Sequence, residues 1–308
     1  MRILPFILGA ALSAAPAGLA QVSVEVVLDQ DQFLRDEALP AQVRITNRSG
    51  QTLHLGRDND WLSFTLERVE GGAVSKLAEA PVQGEFDLES ANVAKRQVNL
   101  TPCFDLEQPG RYQVTATVKI KEWNQELSSK PRPFEVVRGT KLWEEEFGVP
   151  TDGGVPEARK YILQQANYRK QLRLYVRICD LTEQRVFRVF PFGPIVSFNH
   201  PEAQVDRTGY LHVLFQTGAR SFLFCVVSPE GDTVLRQSYD YGATRPTLRP
   251  NDEGRIFVGG GVRHLTANDI PPSLTSATEG PVDRPGSAGP TNGASQAPPN
   301  KDSAKPKK

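Results

Sequence analysis

Gly110-Arg-Tyr112-Gln-Val114-Thr-Ala116-Thr-Val118-Lys-Ile120 sets the class of this chain. Apolar side chains fall on every second residue, so one face of an extended strand is greasy and the other wet. A helix would scatter the same residues around its axis. The stretch therefore predicts a half-buried antiparallel strand. The same period of two runs through Val22, Val24, Val26 and Leu28, through Ala41, Val43 and Ile45, and through Leu62, Phe64 and Leu66. Turn residues punctuate these runs at Asn47-Arg-Ser-Gly50, Gly71-Gly72 and Pro109-Gly110. About seven strands are expected between residues 21 and 138, the rhythm of a β-sandwich.

Just before the deciding strand, Asp105-Leu-Glu-Gln-Pro-Gly110-Arg-Tyr112 resembles the tyrosine corner of immunoglobulin-like domains. The resemblance implies that the Tyr112 hydroxyl bonds back to the preceding turn. Val114 stands where antibody domains carry a cysteine, which implies a sandwich without a disulfide.

Residues 139–267 carry an internal repeat. An offset of 49 aligns Tyr161 to Gly193 with Tyr210 to Gly242 without a gap, pairing Leu174 with Leu223 and Val176 with Cys225. A partial copy follows, in which Asp252-Glu-Gly254-Arg-Ile256-Phe-Val258 echoes Asp206-Arg-Thr-Gly209-Tyr-Leu211-His-Val213. A period of 45 to 49 resembles the blades of NHL-type β-propellers, with Asp capping a turn and Gly taking its positive φ. Too few units are present for a closed ring, so either further diverged units lie elsewhere in the chain or the blade-like sheets pack as a small open stack. Pro156 to Gln171 is also rich in helix formers, but the repeat register makes Tyr161 to Gln165 a strand. The expected fold is thus all-β throughout: an immunoglobulin-like sandwich, then blade-like repeats.

The ends read differently. Arg2, the short apolar run from Ile3 to Ala15, and Gly18-Leu-Ala20 have the form of a signal peptide cleaved after Ala20. Nothing later is apolar enough over roughly 20 residues to span a membrane. The mature protein is expected in the periplasm or outside the cell. Residues 268–308 hold eight prolines, four glycines, five serines and no aromatic side chain, and end in a lysine-rich segment. Such a tail cannot bury enough apolar surface to offset its ordering entropy, so disorder is expected.

Charge excludes some functions. The 308 residues carry 36 basic and 36 acidic side chains, which argues against a nucleic-acid partner. Cys103, Cys179 and Cys225 are too few for a disulfide scaffold, and Cys179 and Cys225 are expected not to pair. No G-x-S-x-G, H-E-x-x-H, Walker or G-x-G-x-x-G motif occurs, and no cofactor is implied. Gly259-Gly260-Gly261 reads as a close-packed strand end. Asp58 and Asp60, with Asp29 and Asp31, are the candidates for a calcium site, against solvated turn acids. Glu144 to Glu146 read as a solvated linker. Asn47 and Asn99 head glycosylation sequons. The sequence points to a non-catalytic binding or scaffold protein of the cell envelope, with a protein or envelope polysaccharide as partner. The competing reading is a secreted hydrolase built on His200, Asp206 and His212.

Overall fold

The computed structural model describes residues 21–149, 154 and 156–271. The expected leader lies outside these residues, and so does the expected tail from residue 272 on. The first residues of that tail, 268–271, are described, and Ile270 is not disordered but bridges Arg236 through two backbone bonds. The described chain is all-β, with antiparallel pairing in every sheet but for one parallel contact.

Ten strands, rather than about seven, build the first half. β1 (Val22–Leu28), β3 (Pro40–Asn47) and β7 (Val93–Asn99) form one sheet in the order β1-β3-β7. β2 (Gln32–Leu34), β10 (Arg132–Val137), β8 (Gly110–Ile120) and β5 (Leu62–Arg68) form the other, with β9 (Gln125–Ser128) beside β8. β4 (Leu53–Leu55) and β6 (Phe86–Leu88) make a small separate ribbon. The extra elements are three or four residues long, too short to leave an alternation signal. The alternating residues of the deciding strand, Tyr112 through Ile120, are all buried in the core between the two sheets. Tyr112 donates its hydroxyl to the Gln108 carbonyl, as the corner motif implied.

Three sheets follow. The inner sheet runs β11 (Thr140–Val149), β12 (Glu157–Tyr168), β13 (Gln171–Asp180), β14 (Val186–Pro194), each strand pairing with the next. The segment around Tyr161 is therefore strand, and the helix formers are overridden by burial: Tyr161, Ile162 and Leu163 are wholly covered. The middle sheet has the same meander, β15 (Glu202–Val205), β16 (Leu211–Gln216), β17 (Ser221–Val227), β18 (Thr233–Asp240), with β21 (Val262–His264) added outside β18. The terminal sheet has two strands, β19 (Thr247–Pro250) and β20 (Ile256–Gly259). Glu144 to Glu146 lie in β11 and are not a linker; Glu144 pairs with Lys141 at 2.8 Å.

The sheets pack face to face. Leu163, Leu174, Val176 and Ile178 of the inner sheet meet Leu211, Val213, Leu223 and Cys225 of the middle sheet in one core. Phe222, Phe224 and Val226, on the opposite face of the middle sheet, meet Leu248, Ile256 and Val258 of the terminal sheet. The free face of the inner sheet, through Ala166, Tyr175 and Val189, covers Leu34 of the sandwich. Arg177 seals that junction with a 2.5 Å bond to Asp36, and Arg169 reaches Asp31 at 2.9 Å. The first strands of the three sheets lie side by side, β11 against β15 and β15 against β19, so the sheets fan from a shared edge.

This packing corrects the 49-residue offset. That offset equates Val176 with Cys225, yet the two enter the same core from opposite sheets. An odd slip turns every side chain to the other face of its strand. The turns after β13 and β17 correspond at an offset of 48. Glu183 donates its amide to Asp180 as Gly231 does to Ser228, and both Glu183 and Gly231 have positive φ. At 48, Val176 matches Phe224, and each faces the next sheet outward. Cys179 and Cys225 then occupy like faces of different sheets, with the inner sheet between them. All three cysteines are free and buried, and burial lifts the Cys225 thiol to about 12. Cys179 and Cys225 stay unpaired because a layer separates them, not because of the alternation the 49-residue offset implied.

Tyr161 pins the inner to the middle sheet. Its hydroxyl lies 2.9 Å from Gly209 O and 3.0 Å from Ser228 O, carbonyls of two middle-sheet turns, and its ring stacks on Phe147 at 4.0 Å. Burial raises the phenol pKa, so the hydroxyl stays protonated and able to donate. Tyr161→Phe keeps the ring and removes the donor from two buried carbonyls. Equilibrium urea unfolding of this variant should show a loss of about 1–3 kcal/mol.

Candidate functional site

The three residues of the hydrolase reading do not converge. Asp206 closes the turn between β15 and β16, and its Oδ1 accepts from the amides of Thr208 at 2.9 Å and Tyr210 at 3.0 Å. Its Oδ2 takes Nε2 of His212, the second residue of β16, at 2.9 Å. His212 is only 9% exposed and lies against Phe224, with Nδ1 buried and unpartnered. One imidazole nitrogen is committed and the other has no path to a substrate. His200, in the loop before β15, takes no part in this pair.

The next turn explains what Asp206 does. Asn251 Oδ1 accepts from the amides of Glu253 at 3.1 Å and Arg255 at 2.7 Å, and Gly254 shares the positive φ of Gly209. The residue equivalent to Asp206 is thus Asn251, at an offset of 45, and not Asp252. An amide does the capping as well as a carboxylate, so the job is to hold backbone donors in a turn. Burial pushes the Asp206 carboxyl up, but the bonds from His212, Thr208 and the turn amides outweigh it and bring it down to about 2.

Asp58 and Asp60 do not form a ligand set. Each is taken by a lysine of the opposing segment, Lys121 at 2.5 Å and Lys119 at 3.0 Å. Asp31 is held by Arg169. Among the described residues no group of three or more His, Cys, Asp or Glu is placed to hold a metal. Asn47 is wholly buried, its amide donating to Gln51 O and Leu88 O, so that sequon is closed in the folded chain. Gly261, two residues past the end of β20, sits in a tight passage, where a Cβ would come within 2.4 Å of Pro246.

Two features emerged that no motif announced. One is a clasp between sheets: Glu202, on the first strand of the middle sheet, accepts the Leu248 amide of the terminal sheet at 2.8 Å. The second is the edge of β20. This strand pairs with β19 and, among the described residues, with no strand on its other side. Asn251 donates its amide to Arg255 O, which closes the β19–β20 turn. Alternation along an antiparallel ladder then points the Phe257 amide toward β19 and those of Ile256 and Val258 outward. In the middle sheet β17 covers the matching edge of β16. After β20 the chain instead returns to β18 as β21, and Phe257 is left 45% exposed with Val262 59% and Leu265 75%.

No protein-family model matches the sequence, and no characterised protein matches it. Among solved structures, the sporulation control protein Spo0M from Bacillus subtilis is similar over 52% of this chain and 80% of its own, with 8% identity and a TM-score of 0.29. A likeness this slight carries no argument.

Asp206→Asn should keep the turn and Asp206→Ala should lose it, so the alanine variant is the less stable at pH 7. A carboxyl whose folded pKa is depressed stabilises the fold above its unfolded value, and that contribution fades as pH falls through the folded value. Melting temperature recorded from about pH 4 down to about pH 2 should therefore fall less steeply in Asp206→Asn than in the parent. Parallel curves would show that the carboxylate charge adds nothing.

Proposed function

We propose that the protein is a non-catalytic binding or scaffold protein of the cell envelope, exported by its leader, which captures a protein partner by strand addition at β20. In this reading the first half is an immunoglobulin-like module and the three sheets are blade-like units of an unclosed fan. The observation that carries it is the two-stranded terminal sheet, with the Ile256 and Val258 amides turned outward and no described strand to meet them. Unpaired strand edges are templates for an extended chain, and proteins that do not use them blunt them with charge or proline. Here the edge carries isoleucine, phenylalanine and valine instead. The envelope setting rests on the leader, and the absence of catalysis on the closed environment of His212.

Two substitutions test this. Val258→Pro removes one outward amide while leaving the bonds to β19, and Phe257→Lys places a charge on the exposed side of the edge. Capture of envelope proteins by the mature chain should be lost with either substitution, while the far-ultraviolet spectrum and melting temperature of Phe257→Lys stay those of the parent. Unchanged capture by both variants would remove β20 as the contact.

A further inference from the structure

The strands of the fan are joined at its two ends, and charge divides between those ends. At one end the connections 169–170, 195–201, 217–220, 241–246 and 260–261 hold Arg169, Lys170, Arg220 and Arg245 and no aspartate or glutamate. At the other end, the turns 181–185, 206–210, 228–232 and 251–255 hold Glu183, Asp206, Glu230, Asp232, Asp252 and Glu253 against three arginines. Arg169 is spent on Asp31 of the sandwich. Lys170, Arg220 and Arg245 are exposed and form no ion pair among the described residues. The strand carboxylates nearest this basic end are already engaged. Asp240 accepts from the Ser221 hydroxyl at 3.3 Å and faces His264 at 3.8 Å, and Glu202 holds the Leu248 amide.

The basic end also holds rings out into water: Phe198 is 77% exposed and Tyr241 43%. Their loops are braced. Gln216, buried at the end of β16, donates to Gly218 O at 2.8 Å and Ala219 O at 3.1 Å, and accepts from the Asn199 side chain at 3.2 Å. Arg245 donates to Asn199 Oδ1 at 2.9 Å, and the Gly261 amide donates to Thr244 O at 3.1 Å. Arg220 donates to Tyr241 O at 2.9 Å and lies 5.8 Å from that ring's centroid. Gln216 and Arg245 thus tie three loops into one platform, with Phe198 standing on it. An acidic polymer would reward the cations and leave the phenyl ring in water. A bilayer with anionic headgroups rewards both, since its interface accepts aromatic rings while its surface charge attracts Lys and Arg.

We propose that this end of the fan docks on an anionic bilayer surface, with Phe198 entering the interfacial region and Lys170, Arg220 and Arg245 lying against the headgroups. The contact uses loops and not the β20 edge, so either can fail without the other.

Co-sedimentation of the full mature chain with vesicles tests this, using equimolar phosphatidylglycerol and phosphatidylcholine against phosphatidylcholine alone. The chain should bind the mixed vesicles at low salt, leave them as salt rises, and ignore the neutral ones. Phe198→Ser should weaken binding about tenfold, the low end of what burying a phenyl ring brings, with an unchanged melting temperature. Lys170→Gln combined with Arg220→Gln should weaken it about thirtyfold, as expected for two cations at a charged surface. In Phe198→Trp the emission of the added indole should shift to the blue on mixed vesicles and stay unchanged with polygalacturonate, an acidic polysaccharide. Binding of Phe198→Ser at the parent's strength, equal binding to neutral vesicles, or no binding of the parent to mixed vesicles at low salt would overturn the proposal. So would binding to polygalacturonate alone, which would make the partner a polymer.

Discussion

Burial on both faces of the inner and middle sheets is the constraint from which the rest of the second half follows. Leu174 to Cys179 in β13, all six residues of β16, and Phe222 to Val227 in β17 are covered without a break. A strand with one wet face cannot look like this, so each sheet needs a layer on either side. The sandwich covers one face of the inner sheet, the middle sheet covers the other, and the terminal sheet covers what remains. At roughly 25 cal/mol per Å² of apolar surface, these interlayer cores outweigh any single polar contact in the fan. The terminal sheet has one buried face and one exposed, and its outer edge has no described neighbour. The open edge is thus the place where the layering stops.

Polar groups between the layers serve to register them. Tyr161 spans two turns of the neighbouring sheet, and Glu202 accepts the Leu248 amide from the next first strand. Such bonds add little net energy, but a slip by one residue would leave buried carbonyls and amides unmet. Asp206 and His212 belong to this class. Their pairing has the composition of a catalytic dyad, while its burial and its role in the turn are those of a structural brace.

The sandwich was legible because its strands have one dry face, and alternation survives in the sequence. Tyr112 and its corner bond could be named from the residues before Gly110. The fan was harder, since strands buried on both faces carry no period to read. Similarity of residue type aligned Val176 with Cys225, but both are small apolar residues that fit either face. Only the turn geometry at Asp180 and Ser228 fixes the parity, and register shifts within β13–β14 and β17–β18 blur it further. The echo of Asp206 in the sequence falls on Asp252, whereas Asn251, one residue earlier, supplies the acceptor through its side-chain amide oxygen. The β20 edge could not be seen until the pairing partner of β21 was known.

Amide hydrogen exchange along β20 tests the unclosed fan most directly. Exchange slows where an amide is bonded within a stable sheet and stays fast where it faces water. In the isolated mature protein, the Phe257 amide should be protected while those of Ile256 and Val258 exchange at rates typical of exposed backbone. Strong protection at all three positions in the isolated chain would mean that another strand already covers this edge, and would contradict the account.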